Sequence, residues 1–125
     1  MRRINICEER GTGVDKVVSE TEFYQLPAAV FEVTDRHTRA VLFAYKAFSE
    51  MDKEDRMHAC FMHCCLKYVN REHMNNASLR ERFNIEVKNS AMVSRIIKDT
   101  LKAGLIRPYD PDAGSKAMRY VPIWA

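Results

Sequence analysis

Apolar residues recur along the chain at two different periods. Val14, Val17 and Val18 stand at helical spacing behind Gly11-Thr12-Gly13, which predicts a helix from Val14 to about Phe23, stopped by Gln25-Leu26-Pro27. Val30-Phe31-Glu32-Val33 and the stretch Arg39 to Tyr45 read as two strands, with Asp35-Arg36-His37 as the turn between them. A long helix is expected over Lys53–Asn70, entered through acidic residues that suit the positive end of a helix dipole. Its apolar stripe is Met57, Cys60, Phe61, Cys64 and Tyr68. Ser78 reads as the N-cap of a short helix, Leu79–Phe83, with Glu81 completing a capping box and Asn84 as its left-handed stop. A further helix, about Asn89 to Ala103, ends at Gly104. The strands Leu105–Arg107 and Met118–Trp124 flank the turn-rich run Asp110–Ser115.

The order helix, short helix, tight turn, helix, hairpin is that of a winged helix-turn-helix, expected over residues 49–125. Residues 1–48 supply one helix and a strand pair, too little to sustain a core of their own. They are expected either to lean on the second piece or to be the tail of a larger domain. The fold class is therefore α+β.

The 125 residues carry a net charge of +3 that is unevenly placed. Residues 1–76 hold 11 Lys and Arg against 12 Asp and Glu, whereas residues 77–125 hold 9 against 5. A polyanion-binding surface is therefore sought in the last part of the chain. No apolar run reaches the roughly 18 to 20 residues of a membrane span, and no apolar stretch follows the basic start, so a cytoplasmic location is expected. Cys7, Cys60, Cys64 and Cys65 are badly spaced for a disulfide framework and are expected to be reduced.

One α-helix fits the DNA major groove, with a second crossing behind it. On the Asn89–Ala103 helix, Val93, Ile96, Ile97 and Thr100 fall to one side; Ala91, Met92, Arg95, Lys98 and Lys102 fall to the other, with Asp99 among them. Lys88, Asn89, Ser90, Met92 and Arg95 are the candidate groove residues, and Lys98 and Lys102 lie nearer to phosphate. Arg80 and Arg82 on the short helix, with Lys116 and Arg119 on the hairpin, are expected to flank the backbone. Double-stranded DNA is thus the expected partner, with a homodimer also open and no enzymatic activity. The competing reading is a docking or oligomerisation module whose basic face meets an acidic protein.

Two other constellations arise. His58, Cys60, His63, Cys64 and Cys65 share the long helix, but His63 is expected to point away from Cys60 and Cys64, so no metal site is inferred. Gly11, Thr12 and Gly13 open a helix and could turn backbone N–H groups toward phosphate; a plain helix-start turn explains them equally well.

Glu8-Glu9-Arg10-Gly11-Thr12-Gly13-Val14-Asp15-Lys16-Val17 resembles the end of the RecG-like C-terminal domain found in transcriptional regulators that carry a Schlafen-type (divergent AAA) domain. In that family such a stretch precedes two strands and a winged helix. Leu79-Arg80-Glu81-Arg82-Phe83, Ser94-Arg95-Ile96-Ile97-Lys98, Ala103-Gly104-Leu105-Ile106 and Arg119–Ala125 are similar to its winged-helix wording. The first piece also resembles the last helix and strands of the ATP-binding fold of histidine kinases and gyrases, Gly11, Thr12 and Gly13 matching the loop while Val14-Asp15 departs from it. The asparagine and aspartate boxes of that fold are not in this chain, so no cofactor is expected. The resemblance implies that the chain works attached to the rest of a parent regulator.

Overall fold

The structure, a computed structural model, describes the backbone of residues 12–125 and side chains from Lys16 onward. Among the described residues it is a mixed α+β arrangement of four α-helices and two small antiparallel sheets. Helix α1 spans Thr12–Phe23, followed by strands β1 (Val30–Val33) and β2 (Thr38–Val41). A 3-10 turn at Phe48–Glu50 leads into α2 (Lys53–Val69). Then come α3 (Asn76–Phe83), a 3-10 turn at Val87–Asn89, α4 (Ser90–Lys102), β3 (Ile106–Pro108) and β4 (Tyr120–Pro122).

Local chemistry sets the ends of these elements. Asp52 caps α2 by accepting the Asp55 N–H at 2.8 Å, leaving Glu54 and Asp55 in the electropositive first turn. At α3 the expected cap is corrected. Asn75 holds that position, its Oδ1 accepting the Ser78 N–H at 2.8 Å, while Ser78 Oγ accepts the Asn75 N–H at 3.1 Å. Ser78 is thus the returning partner of a capping box that starts three residues earlier, because an amide side chain serves an N-cap as well as a hydroxyl. Asn84 ends α3 in the left-handed region at φ 56°, and Gly104 follows α4 at φ 75°.

The core lies where α2, α3 and α4 meet, and the β3–β4 hairpin covers it. Ala59, Cys60 and Cys64 from α2 pack with Leu79 and Phe83 from α3, Val93, Ile96 and Ile97 from α4, and Ile106 from β3. β3 and β4 pair in the register Ile106↔Pro122 and Pro108↔Tyr120. Met74, wholly buried between α2 and α3, adds a bridge to Tyr120, whose N–H donates to the Met74 carbonyl at 2.9 Å. This ties the hairpin to the chain entering α3, a link that no local pattern announces.

The first piece leans on the second through α1 and the turn after it. Val18, Thr21, Ala28 and Ala29 are buried, and the Ala29 carbonyl lies 3.0 Å from His58 Nε2. The strand pair β1–β2 is mostly exposed, with Val33 uncovered at its end. β2 ends at Val41, earlier than expected. Leu42, Phe43 and Tyr45 lie outside any strand and are exposed, leaving them no partner strand among the described residues.

A candidate nucleic-acid interface

Helix α4 divides as its pattern predicts. Val93, Ile96, Ile97 and Thr100 are buried, the Thr100 hydroxyl satisfied by the Ile96 carbonyl at 2.7 Å. Arg95, Lys98 and Lys102 are exposed on the other side, and among the described residues no acidic group lies within 4 Å of any of them. Three cationic heads so placed have no intramolecular ion pair to break before meeting a polyanion. Ala91 and Ser94 are exposed between them, and Met92 is half-buried. Asp99 is half-buried and borders a groove between α2 and α4 with Lys53, Arg56 and Arg95.

α4 is held at its angle by side chains that the sequence pattern did not single out. Asn76, at the start of α3, donates through Nδ2 to the Ser90 carbonyl at 3.2 Å and to Ser94 Oγ at 3.0 Å. Its Oδ1 accepts from Arg80 Nε at 3.2 Å. Arg80, half-buried, and Lys116, exposed on the hairpin loop, border one cleft of about 610 Å³ between α3, α4 and the hairpin, with Ser90 and Ser94 on the α4 side. Arg119 is exposed, and its carbonyl accepts the Tyr109 N–H at 2.8 Å across the hairpin mouth. Lys88 and Asn89, just before α4, are exposed as well. Lys88 meets Glu86 at 3.2 Å, an exposed pair that contributes little and that a phosphate could displace.

Arg82 is the clear correction. Its side chain is only 1% exposed. Nε donates to Glu22 Oε2 at 2.8 Å and Nη2 to the Leu26 carbonyl at 2.6 Å. A guanidinium committed inside the protein cannot reach a phosphate. Arg80 and Arg82, two positions apart on a helix, lie on different faces, and Arg82 has the face turned to α1.

His63 is the second correction. It lies on the buried face of α2 beside Cys60 and Cys64 rather than away from them. Three residues on a helix correspond to most of a full turn, so His63 and Cys60 share a side. Nδ1 meets Glu22 Oε1 at 2.5 Å and Nε2 meets Ser78 Oγ at 3.0 Å, so both ring nitrogens are engaged. The array Ser78–His63–Glu22 has the order of a nucleophilic triad, but it is a structural joint. His63 is buried, and Ser78 Oγ is engaged by the Asn75 main chain in the α3 cap.

The three described cysteines are free thiols, Cys60 and Cys64 buried and Cys65 half-buried. Burial pushes Cys60 up to about 12 and Cys65 up to about 11, and raises Cys64 as well. Such thiols stay protonated near neutral pH and make poor nucleophiles and poor metal ligands. Of the glycine-loop candidates, Gly11 lies outside the described residues, and Thr12 and Gly13 form the first turn of α1.

No helix among the described residues is long and apolar enough to cross a membrane. No curated protein and no solved structure matches the chain. Residues 1–42, about a third of the chain, match the family model described as "Putative ATP-dependent DNA helicase recG C-terminal". The match ends just past β2, so it is the first piece, and not α2 to β4, that is similar to the C-terminal region of that family.

Proposed function

We propose that residues 49–125 form a winged helix-turn-helix that holds a larger transcriptional regulator on double-stranded DNA and catalyses nothing itself. The observation that carries this reading is the exposed row Arg95, Lys98 and Lys102 on α4, without acidic partners among the described residues and backed by an aliphatic face. α4 is the element that would enter the major groove. Lys88, Asn89, Ser90, Met92 and Arg95 at its leading end would meet base edges, and Lys98 and Lys102 would meet phosphate. The cleft with Arg80 and Lys116 would take a neighbouring phosphate, and Arg119 would serve from the hairpin. The first piece, similar to a RecG C-terminal region, would join this module to the Schlafen-type remainder of the regulator.

Fluorescence anisotropy with labelled duplex DNA tests the reading. Affinity is expected to fall steeply with salt, because neutralised phosphates release counterions. Arg95→Ala is expected to cost about 1–3 kcal/mol and to relax preference at one base position. Affinity indifferent to salt, or an unchanged Arg95→Ala, would remove α4 from the interface. A second reading, docking or self-association, is favoured by one observation. Tyr68 and Trp124 stack edge to face at 5.4 Å and remain exposed, with Val69 and Ile123 also exposed nearby in sequence. Concentration-dependent sedimentation abolished by Trp124→Ser, together with no DNA binding, would favour it.

A further inference from the structure

The cleft of about 610 Å³ between α3, α4 and the hairpin has a volume in the range of small-molecule sites. Among the described residues no acidic side chain borders it. Its polar wall carries Arg80, Lys116, the hydroxyls of Ser90, Ser94 and Ser115, and the amide of Asn76. The groove on the other side of α4, toward α2, contains Asp99, and the hollow beside the turn that feeds α4 contains Glu86. Only the first of these three spaces sets cations and hydroxyls together without a carboxylate.

Both cations are uncommitted. Neither Arg80 nor Lys116 has a carboxylate within 4 Å among the described residues. Arg80 is half-buried, not sealed in the core as Arg82 is, and it spends only Nε, on the neutral amide of Asn76 at 3.2 Å. Asn76 is itself clamped to the Ser90 carbonyl and to Ser94 Oγ, so the guanidinium is held at a fixed place beside α4. A guanidinium anchored through Nε keeps its two Nη groups as a fork, which matches two oxygens of one phosphate. Because Ser94 Oγ accepts from Asn76, its own proton remains available to an acceptor in the cleft. Lys116 supplies a second positive charge from the exposed hairpin loop. A phosphodiester brings one negative charge to such a pair, whereas a phosphomonoester brings about two and three free oxygens. A phosphate alone leaves much of the cleft empty, and Met118 and Tyr120 line the remainder with apolar surface.

We propose that this cleft binds a small organic phosphomonoester, its phosphate held by Arg80, Lys116 and Ser94, its organic part along Met118 and Tyr120. Since the same cleft is assigned to a backbone phosphate of DNA, the ester would compete with DNA; only this regulatory consequence rests on the DNA reading. The site itself is tested without DNA. In a titration of the full chain with ribose 5-phosphate at about pH 8 and constant ionic strength, where the monoester is a dianion, amide NMR is expected to show saturable shifts at Asn76, Arg80, Ser94 and Lys116. Dimethyl phosphate, a diester, and ribose, which has no charge, should each bind at least about tenfold more weakly. Arg80→Ala and Lys116→Ala should each weaken ribose 5-phosphate by about tenfold while the Val93 and Ile106 amides keep their positions. Arg80→Lys, which keeps the charge and loses the fork, should recover only part of that loss. Non-saturating shifts, dimethyl phosphate as effective as ribose 5-phosphate, or unchanged binding in both alanine variants would overturn the proposal. Ester binding that leaves DNA affinity untouched would remove the DNA backbone from this cleft, and ester binding without any DNA binding would count against the DNA reading alone.

Discussion

The carboxylate of Glu22 holds His63 through Oε1 and Arg82 through Oε2, and Arg82 in turn holds the Leu26 carbonyl. All of these groups are largely withdrawn from solvent, with Arg82 almost completely so. Removing one partner of a buried ion pair leaves the other charge uncompensated, which costs more than the pair contributes. Glu22→Ala is therefore expected to destabilise the chain by about 3–5 kcal/mol in urea unfolding, with Glu22→Gln milder because it keeps acceptor and donor atoms. An unchanged midpoint for Glu22→Ala would show that the joint contributes nothing. This joint was not legible in the sequence. Glu22 and Arg82 are 60 positions apart, and by residue type each reads as an exposed charge on its own helix. Only the packing of α1 on α2 and α3 makes them partners.

At the scale of elements, periodicity and stop residues carried most of the information. Helix α4 was expected at about 89–103 and spans Ser90–Lys102, since its aliphatic positions fall on one arc and Gly104 terminates it. Asn84 holds φ 56° and ψ 48°, a conformation that an amide side chain tolerates and a β-branched one does not. Asn84→Gly is expected to leave stability within a few tenths of a kcal/mol, whereas Asn84→Val should cost about 1–2 kcal/mol. Thermal unfolding of the pair checks this, and equal melting of the two would deny that the turn depends on a left-handed residue. The start of α3 was misplaced because Asn75 and Ser78 are both good caps and local chemistry alone does not rank them. β2 was expected to run on to Tyr45 because its residues suit a strand; it stops at Val41 because the register of β1 ends opposite it at Val30.

Across the whole molecule, three thiols lie in or beside the core built on α2, and burial raises all of them above the ordinary value of 9.0. In the unfolded chain they ionise near that ordinary value, whereas in the folded chain they hold their protons to about 11 for Cys65 and about 12 for Cys60. A raised folded-state pKa gives stability that is complete below the unfolded value and is lost as pH climbs toward the folded one. Stability is thus expected to be unaffected by these groups up to about pH 8 and to fall from about pH 9 toward 11, by up to about 1.4 kcal/mol per pH unit for each thiol. Urea unfolding at several alkaline pH values, compared with a Cys60→Ala/Cys64→Ala variant, measures it; identical slopes in the two proteins would assign the loss to other groups.

The sequence by itself determined which segments become helices, where Asn84 and Gly104 stop them, and which side of α4 faces inward, because these depend on spacing and on single-residue backbone preferences. Tertiary structure alone decided that Arg82 and His63 turn inward to Glu22, that Met74 fastens the hairpin, and that Asn76 fixes α4. Each of those depends on atoms brought together from distant parts of the chain, and residue order carries no distance between them until the helices pack.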